Sequence, residues 1–190
     1  MTNKLAIFIC GSGGSGKSTI AKTQFPEYAI IDVDLIYERL LIDNNLGLKI
    51  KDFSEDENML ANTLFEKSKT LNNEKFNKSV DNGYDIVIDS IGRDSDVIMS
   101  QRSYLEKMGY STYMIMVYAE LDTCVNRVEA RNRVYKPNIT VDSWYLSYSN
   151  ISTFKKEFGD RFMLIYTDNT DWKSKLDVFI YKNNNKRGLI

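Results

Sequence analysis

The stretch Gly11-Ser12-Gly13-Gly14-Ser15-Gly16-Lys17-Ser18 decides the fold of this chain, because it fits the phosphate-binding pattern GxxxxGK[ST]. The apolar run 5–10 before it indicates a buried parallel strand, and residues 18–23 after it indicate the first turns of a helix. A plain glycine-rich turn is the alternative, but such a turn needs neither the lysine nor the hydroxyl at these positions. The stretch therefore predicts a nucleotide-binding P-loop.

The physical basis of this prediction is the backbone of the loop. Glycines allow successive amides to point inward, and the start of the helix adds free N–H groups and a positive dipole end. Lys17 is predicted to reach the β- and γ-phosphates, and Ser18 to offer its hydroxyl to Mg²⁺. The predicted phosphate-binding residues are Gly11, Ser12, Gly13, Gly14, Ser15, Gly16, Lys17, Ser18 and Thr19.

Composition limits the other possibilities. A length of 190 residues with 43% hydrophobic residues predicts a single domain, residues 1–190. The net charge of −1 argues against an overall basic nucleic-acid binder. The chain has no histidine, which excludes histidine bases and the common zinc sites. Its chemistry is therefore expected to use carboxylates, lysine, arginine, hydroxyls and Mg²⁺.

The chain is predicted to remain in the cytoplasm, either of a cell or of an infected host. Its longest apolar stretch, Tyr113–Ala119, is too short to cross a bilayer, and residues 1–4 lead directly into the first strand. Cys10 and Cys124 are expected to be buried free thiols. No membrane contact and no obligate protein partner are predicted.

Strands and helices alternate along the whole chain. The predicted strands are 5–10, 28–34, 84–89, 113–118 and 161–166. The predicted helices are 18–24, 35–41, one or two within 54–80, 94–108 capped by Asp94 or Ser95, 121–131, one capped by Thr140, and a last one from Trp172 before a polar tail, 182–190. This alternation predicts a doubly wound α/β fold with a parallel sheet.

Acids stand at the ends of two predicted strands, where open α/β sheets bind ligands. Asp34 is the first candidate to orient an acceptor hydroxyl and take its proton, and Asp32 competes for that role. Asp34 alternatively caps the following helix. Asp89 is typical of an acid that holds the Mg²⁺ shell, and Arg93 after it faces either substrate or solvent.

Three arginines form a second constellation, at Arg127, Arg131 and Arg133. Arg127 and Arg131 are four residues apart and so share a helix face. Arginines on a mobile segment can neutralise a transferring phosphoryl group when the site closes, which predicts a lid over about 127–137. The lysines of the long helical region alternate with glutamates and are expected to form a solvated face, at Lys67, Lys69, Lys75 and Lys78.

In combination, four blocks resemble the P-loop kinases of the polynucleotide kinase and zeta-toxin type, especially small phage-encoded members. The blocks are residues 11–19, 31–34, 88–94 and 127–133. The resemblance implies the strand order 2-3-1-4-5, ATP and Mg²⁺ as cofactors, Asp34 rather than Asp32 on the acceptor hydroxyl, and Arg127, Arg131 and Arg133 as lid arginines.

The resemblance also implies a function. We expect a kinase that transfers the γ-phosphoryl group of ATP to a hydroxyl of a nucleic acid or nucleotide, at a 5′-hydroxyl end or a hydroxymethylated base in DNA. Polynucleotide kinases carry a substrate-binding arginine three residues after the catalytic aspartate; here Tyr37 occupies that position and Arg39 follows. The alternatives are a zeta-toxin-like kinase of an amino sugar nucleotide and a non-kinase nucleotide switch or binding module. Arg39 and Arg93 are predicted to contact substrate.

Overall fold

A computed structural model describes residues 4–131, 137–168 and 171–185 of the chain. In them, five parallel strands form one sheet in the order β2-β3-β1-β4-β5. The strands are β1 (Lys4–Cys10), β2 (Ala29–Ile31), β3 (Ile86–Ser90), β4 (Tyr110–Tyr118) and β5 (Phe162–Tyr166). The helices are α1 (Lys17–Gln24), α2 (Val33–Asp43), α3 (Glu55–Asp81), α4 (Ser95–Lys107), α5 (Leu121–Glu129), α6 (Pro137–Tyr148), α7 (Ile151–Phe158) and α8 (Trp172–Asn185). The predicted fold class and strand order are confirmed.

The central strand β1 is buried on both faces, as its apolar sequence predicts. Phe8 packs into one core with Phe154 of α7, and Ile9 packs into a second core on the opposite face with Ile20 and Leu176. Hydrogen bonds to β3 on one side and β4 on the other fix its register. The P-loop therefore begins from the most constrained strand of the sheet.

The boundary between β2 and α2 differs from the prediction. β2 ends at Ile31, and α2 begins at Val33, whereas the sequence predicted a strand that continues through Asp34. The reason is a helix cap: the Asp32 carboxylate accepts hydrogen bonds from the Asp34 and Leu35 amides, at 2.8 and 3.3 Å. Asp32, and not Asp34, is thus the N-cap of α2.

A single long helix, α3, covers the region predicted as one or two helices. It begins with a capping box, in which the Ser54 hydroxyl accepts from the Glu57 amide and the Glu57 carboxylate accepts from the Ser54 amide. α3 packs against α2 through a small separate core that contains Tyr37, Leu41 and Leu64. This pairing holds both helices over the carboxyl end of β2.

The helix predicted to start at Thr140 begins earlier, so the predicted cap at Thr140 is wrong. α6 starts at Pro137, whose fixed φ suits the first helical position, and Thr140 is buried inside the helix. The chain turns at Asn150 before α7, and the Asn150 amide group donates to the carbonyls of Gly92 and Arg93. The loop after β3 is thereby tied to the α6–α7 turn.

Candidate active site

The P-loop connects β1 to α1 as the motif requires. Gly14 has a φ of +81°, and a Cβ there would lie 2.3 Å from the Cys124 carbonyl oxygen. A Cβ at Gly11 would likewise lie 2.3 Å from the Val117 carbonyl oxygen. Only glycine fits these two positions, because backbone of α5 and β4 packs directly against the loop.

Lys17 lies at the inner end of the loop. Its ammonium donates to the Ser12 carbonyl at 3.0 Å and stands 3.8 Å from the Asp89 carboxylate. Both side chains are largely buried, at 11% and 8% exposure, so each charge is stabilised by the opposite charge beside it. The structure thus brings together the predicted phosphate lysine and the predicted metal acid.

The residues predicted to hold Mg²⁺ are also adjacent. The Ser18 hydroxyl donates to Asp89 Oδ2 at 3.1 Å. A hydroxyl and one carboxylate at the mouth of a P-loop fit the hard oxygen ligands that Mg²⁺ takes, completed by phosphate oxygens and water. Burial raises the pKa of Asp89, and the Lys17 ammonium opposes this shift. Thr19 is exposed in the first turn of α1.

Asp32 and Asp34 face the same region from the start of α2. Burial raises the pKa of Asp32 to about 7, with further contributions from the charges of Asp89 and Asp34. The Asp32 carboxylate is occupied by the two amides that it caps. Asp34 is half-buried in the first helical turn and is more exposed than Asp32.

Two clefts meet at these carboxylates. The first, the P-loop cleft, has a volume of about 430 Å³, and its lining includes Gly13, Gly14, Gly16, Ser18, Leu35, Tyr37, Asn62, Arg131, Thr140 and Ser143. The second, the α3–α4 cleft, has a volume of about 540 Å³, and its lining includes Lys69, Asn72, Asn73, Phe76, Ser90, Arg93, Val97 and Gln101. Both clefts share Lys17, Asp32, Asp34, Phe65, Asp89 and Ile91. Such volumes suit ligands of nucleotide size.

The predicted lid arginines are placed differently from one another. Arg131 lines the P-loop cleft just after α5, and Arg133 lies outside the described residues. The Arg127 guanidinium instead donates to the Gly14 carbonyl at 3.4 Å and to the Thr167 hydroxyl at 3.0 Å. In the described structure, Arg127 therefore contacts the outer side of the P-loop and lines neither of the two clefts.

The two arginines predicted to contact substrate also differ. Arg93 lines the α3–α4 cleft, next to the strand that ends at Asp89. Arg39 is 78% exposed, pairs with Asp43 on its own helix at 3.2 Å, and is absent from the lining of both clefts in the described part of the chain. The predicted substrate contact of Arg39 gains no support from this position.

Sequence reasoning missed several residues that line the clefts. Asn72 and Gln101 line the α3–α4 cleft from facing helices, and Ser143 lines the P-loop cleft from α6. The four lysines assigned to a solvated face are all exposed, but two also make other contacts: Lys69, which pairs with Glu66 at 2.7 Å, lines the α3–α4 cleft, and Lys75 donates to the Ile30 carbonyl at 2.6 Å. No local motif marks these residues, because each reaches its place only through the packing of α3, α4 and α6.

Within the described residues, no helix combines the length and the apolar character needed to cross a membrane.

Solved structures with the same fold include known and putative kinases. A putative kinase from Chloroflexus aurantiacus J-10-fl aligns with 99% of this chain and 98% of its own, at 12% identity and a TM-score of 0.64. The PezAT toxin-antitoxin structure from Streptococcus pneumoniae aligns with 93% of this chain and 77% of its own, at 16% identity and a TM-score of 0.59. At these identities the likeness shows the fold.

The AvrRxo1-ORF1:-ORF2 structure with ATP also aligns with this chain, over 87% of its residues, at 15% identity and a TM-score of 0.67. The present chain covers only 55% of that neighbour's length. No curated protein sequence matches the chain significantly. The family model for the Zeta toxin, however, matches residues 2–186, and the chain therefore belongs to the Zeta toxin family.

Proposed function

We propose that this protein transfers the γ-phosphoryl group of ATP to a hydroxyl of a small, nucleotide-containing acceptor. The observation that carries the proposal is the common wall of the two clefts, where Lys17, Asp34 and Asp89 lie. A phosphotransferase needs a donor site and an acceptor site that meet at one reacting centre. Membership of the Zeta toxin family supports the kinase assignment.

The P-loop cleft is the proposed donor site. The loop amides and the start of α1 would hold the phosphates, with the Lys17 ammonium at the transferring group. Arg131 enters the same cleft from the end of α5 and would neutralise charge that develops during transfer. Ser18 and Asp89 would hold Mg²⁺, which supplies charge neutralisation for the phosphate oxygens when it is bound.

The α3–α4 cleft is the proposed acceptor site. It presents the side-chain amides of Asn72, Asn73 and Gln101 together with the cations Lys69 and Arg93. Amides recognise the polar edges of a base or a sugar, and cations recognise phosphate. Helices enclose this cleft on two sides, which favours a small acceptor, such as a nucleotide or an amino sugar nucleotide, over a duplex end.

Asp34 is the proposed base at the boundary of the two clefts. Its carboxylate would accept the proton of the acceptor hydroxyl while the hydroxyl oxygen bonds to the γ-phosphorus. The bond from that phosphorus to the bridging oxygen breaks, and ADP leaves. Acid-base assistance of this kind contributes roughly 10²- to 10⁴-fold to a rate.

The test is transfer of labelled γ-phosphate from ATP with Mg²⁺ to a panel of acceptors. The panel contains nucleosides, their monophosphates, amino sugar nucleotides, 5′-hydroxyl DNA and RNA, and DNA with hydroxymethylated bases. We expect labelling of a nucleotide-sized acceptor that is lost in Lys17→Ala. Labelling of nucleic acid alone would overturn the small-acceptor proposal and support the nucleic-acid acceptor that the sequence suggested. ATP binding without labelling of any acceptor would overturn the kinase proposal.

A further inference from the structure

α6 is bonded directly to the first half of the P-loop. The Ser143 hydroxyl accepts a hydrogen bond from the Gly13 amide at 3.2 Å and lies 3.0 Å from the Ser12 hydroxyl. The Ser12 amide donates to the Tyr148 hydroxyl at 3.4 Å, and that hydroxyl donates to the Val117 carbonyl at 2.9 Å. Side chains of α6 thus occupy the amides of two successive loop residues.

The contacts at Ser143 form a closed cycle of hydrogen bonds. The Ser12 hydroxyl donates to the Gly13 carbonyl at 3.2 Å, which leaves the Ser143 hydroxyl to donate to Ser12. Both the N–H and the C=O of Gly13 therefore have side-chain partners. Ser12 and Ser143 are both buried, so water is poorly able to replace either partner. The bond from the Gly13 amide to Ser143 fixes the orientation of the Ser12–Gly13 peptide, and the bond from the Ser12 hydroxyl to the Gly13 carbonyl fixes the peptide that follows, although glycine would otherwise leave both free to rotate.

The fixed part of the loop is the part that orients Lys17. The Ser12 carbonyl accepts from the Lys17 ammonium at 3.0 Å and from the Ser15 amide at 3.2 Å. In a P-loop the lysine contacts the β- and γ-phosphates, while the amides at the start of the helix hold the inner phosphates. The Ser12–Gly13 end of the loop is therefore the γ-phosphate end.

We propose that Ser143 is a positioning residue that holds the γ-phosphate end of the P-loop and so favours ATP over ADP. It acts through Ser12 and Gly13 and through the lysine that Ser12 orients. The inference rests on the proposed function for the binding of ATP in the P-loop cleft, and it is independent of the acceptor. α6, which supports the loop, also begins only six positions after Arg131, which lines the same cleft.

The test compares Ser143→Ala with Ser147→Ala. Ser147 is buried one turn later on α6, and its hydroxyl bonds to the Ser143 carbonyl within the helix. Binding of ATP and of ADP to the full chain is measured by calorimetry, with thermal melting to verify folding. In Ser143→Ala we expect ATP to bind about five- to twentyfold more weakly, and ADP to change by less than about twofold. Ser147→Ala should leave the ratio of ATP to ADP affinity unchanged, and Ser143→Thr should restore it.

Several outcomes would overturn the inference. Unchanged ATP binding in Ser143→Ala would do so, and so would an equal loss of ATP and ADP binding, since a purely structural role affects both. If Ser143→Ala fails to fold, Ser12→Ala removes the other hydroxyl of the cycle and must show the same selective loss. Wild-type protein that binds ATP but phosphorylates no acceptor would contradict the proposed function and leave this test intact. Wild-type protein that binds neither nucleotide would contradict both.

Discussion

The two clefts that meet at Asp34 and Asp89 are built in different ways. The P-loop cleft takes its main binding groups from the backbone of one short, continuous stretch. The α3–α4 cleft takes side chains from positions as far apart as Lys69 and Gln101, on two helices and the loop between β3 and α4. A site made of local backbone is visible in a sequence, whereas a site made of side chains depends on how distant elements pack.

The clefts also differ in their polar side chains. The cations of the P-loop cleft are Lys17 and Arg131, and its lining includes one side-chain amide, that of Asn62. The α3–α4 cleft adds three side-chain amides, at Asn72, Asn73 and Gln101, to its cations. Substitutions at the shared wall should therefore change the rate of transfer, and substitutions in the α3–α4 cleft should change the affinity for acceptor.

The largest effect is expected at the shared wall, in Asp34→Asn. The amide keeps the shape of the side chain but cannot take the proton of the acceptor hydroxyl, so kcat should fall by about 10²- to 10⁴-fold. ATP affinity, measured by calorimetry, should change little. Asp43→Asn, which alters an exposed acid of the same helix, is the control and should keep its activity. Normal transfer by Asp34→Asn would remove Asp34 from the mechanism.

The next largest effect is expected from a change in the P-loop backbone. In Gly14→Ala the new Cβ would lie 2.3 Å from the Cys124 carbonyl, so the loop must move away from α5. We expect a loss of about 2–4 kcal/mol in unfolding free energy and a weakening of ATP binding by more than about tenfold.

Gly109→Ala is the matched control for Gly14→Ala. Gly109 also has a positive φ, of +84°, but its Cβ would meet nothing within 4 Å in the described structure. Gly109→Ala should lower the unfolding free energy by only about 1 kcal/mol, through backbone strain, and should leave ATP binding unchanged. Chemical denaturation measures both variants. Equal losses in the two would show that the contact with Cys124 is unimportant.

Much of the fold could be predicted because its signals are local. The strand alternation and the P-loop gave the α/β class, and the resemblance gave the strand order. The start of α2 could not be placed, because a strand end and a helix cap compete at Asp32 and Asp34, and only the bonds from the Asp34 and Leu35 amides decide between them. Both Asp32 and Asp34 were nevertheless predicted as candidate site residues.

The centre of the candidate site was also predictable from the sequence. Lys17, Ser18 and Asp89 were expected to meet, and they do. The arginines show the limit of sequence spacing. Arg127 and Arg131 were predicted to share a helix face, but α5 ends at Glu129, so only Arg127 lies on the helix. Its bond to Thr167 directs it toward the loop after β5, whereas Arg131, beyond the helix end, lines the P-loop cleft.

A moderate effect is expected in the α3–α4 cleft, from Asn72→Ala. The Asn72 side-chain oxygen is buried and has no hydrogen-bond partner among the described residues, so an acceptor could provide one. We expect the acceptor KM to rise about five- to thirtyfold while the ATP KM stays constant. Asn77→Ala removes an exposed amide from the same helix and is the control. An unchanged acceptor KM in steady-state kinetics would place acceptor binding elsewhere.

The last prediction concerns stability alone and distinguishes the role of Asp32 from that of Asp34 at the shared wall. Burial and neighbouring carboxylates raise the pKa of Asp32 to about 7, from 3.8. Between these values the folded chain retains a proton that the unfolded chain releases, so this group lowers stability as the pH rises from about 4 to 7. Asp32→Asn keeps a capping oxygen and removes the charge. Without Mg²⁺, the stability of Asp32→Asn relative to the wild type should therefore be greater at pH 8 than at pH 5 by about 2–3 kcal/mol, since roughly two pH units at about 1.4 kcal/mol each separate pH 5 from the folded pKa.

The control for this prediction is Asp94→Asn. The Asp94 carboxylate caps α4 by accepting hydrogen bonds from two backbone amides, as Asp32 does for α2, but Asp94 is exposed to solvent. Its replacement tests the exchange of the capping group alone and should shift stability equally at both pH values. Urea unfolding in EDTA at pH 5 and pH 8 measures all three proteins. A pH-independent difference for Asp32→Asn would show that the Asp32 carboxylate is charged throughout this range, and that its role at the wall is electrostatic as well as structural.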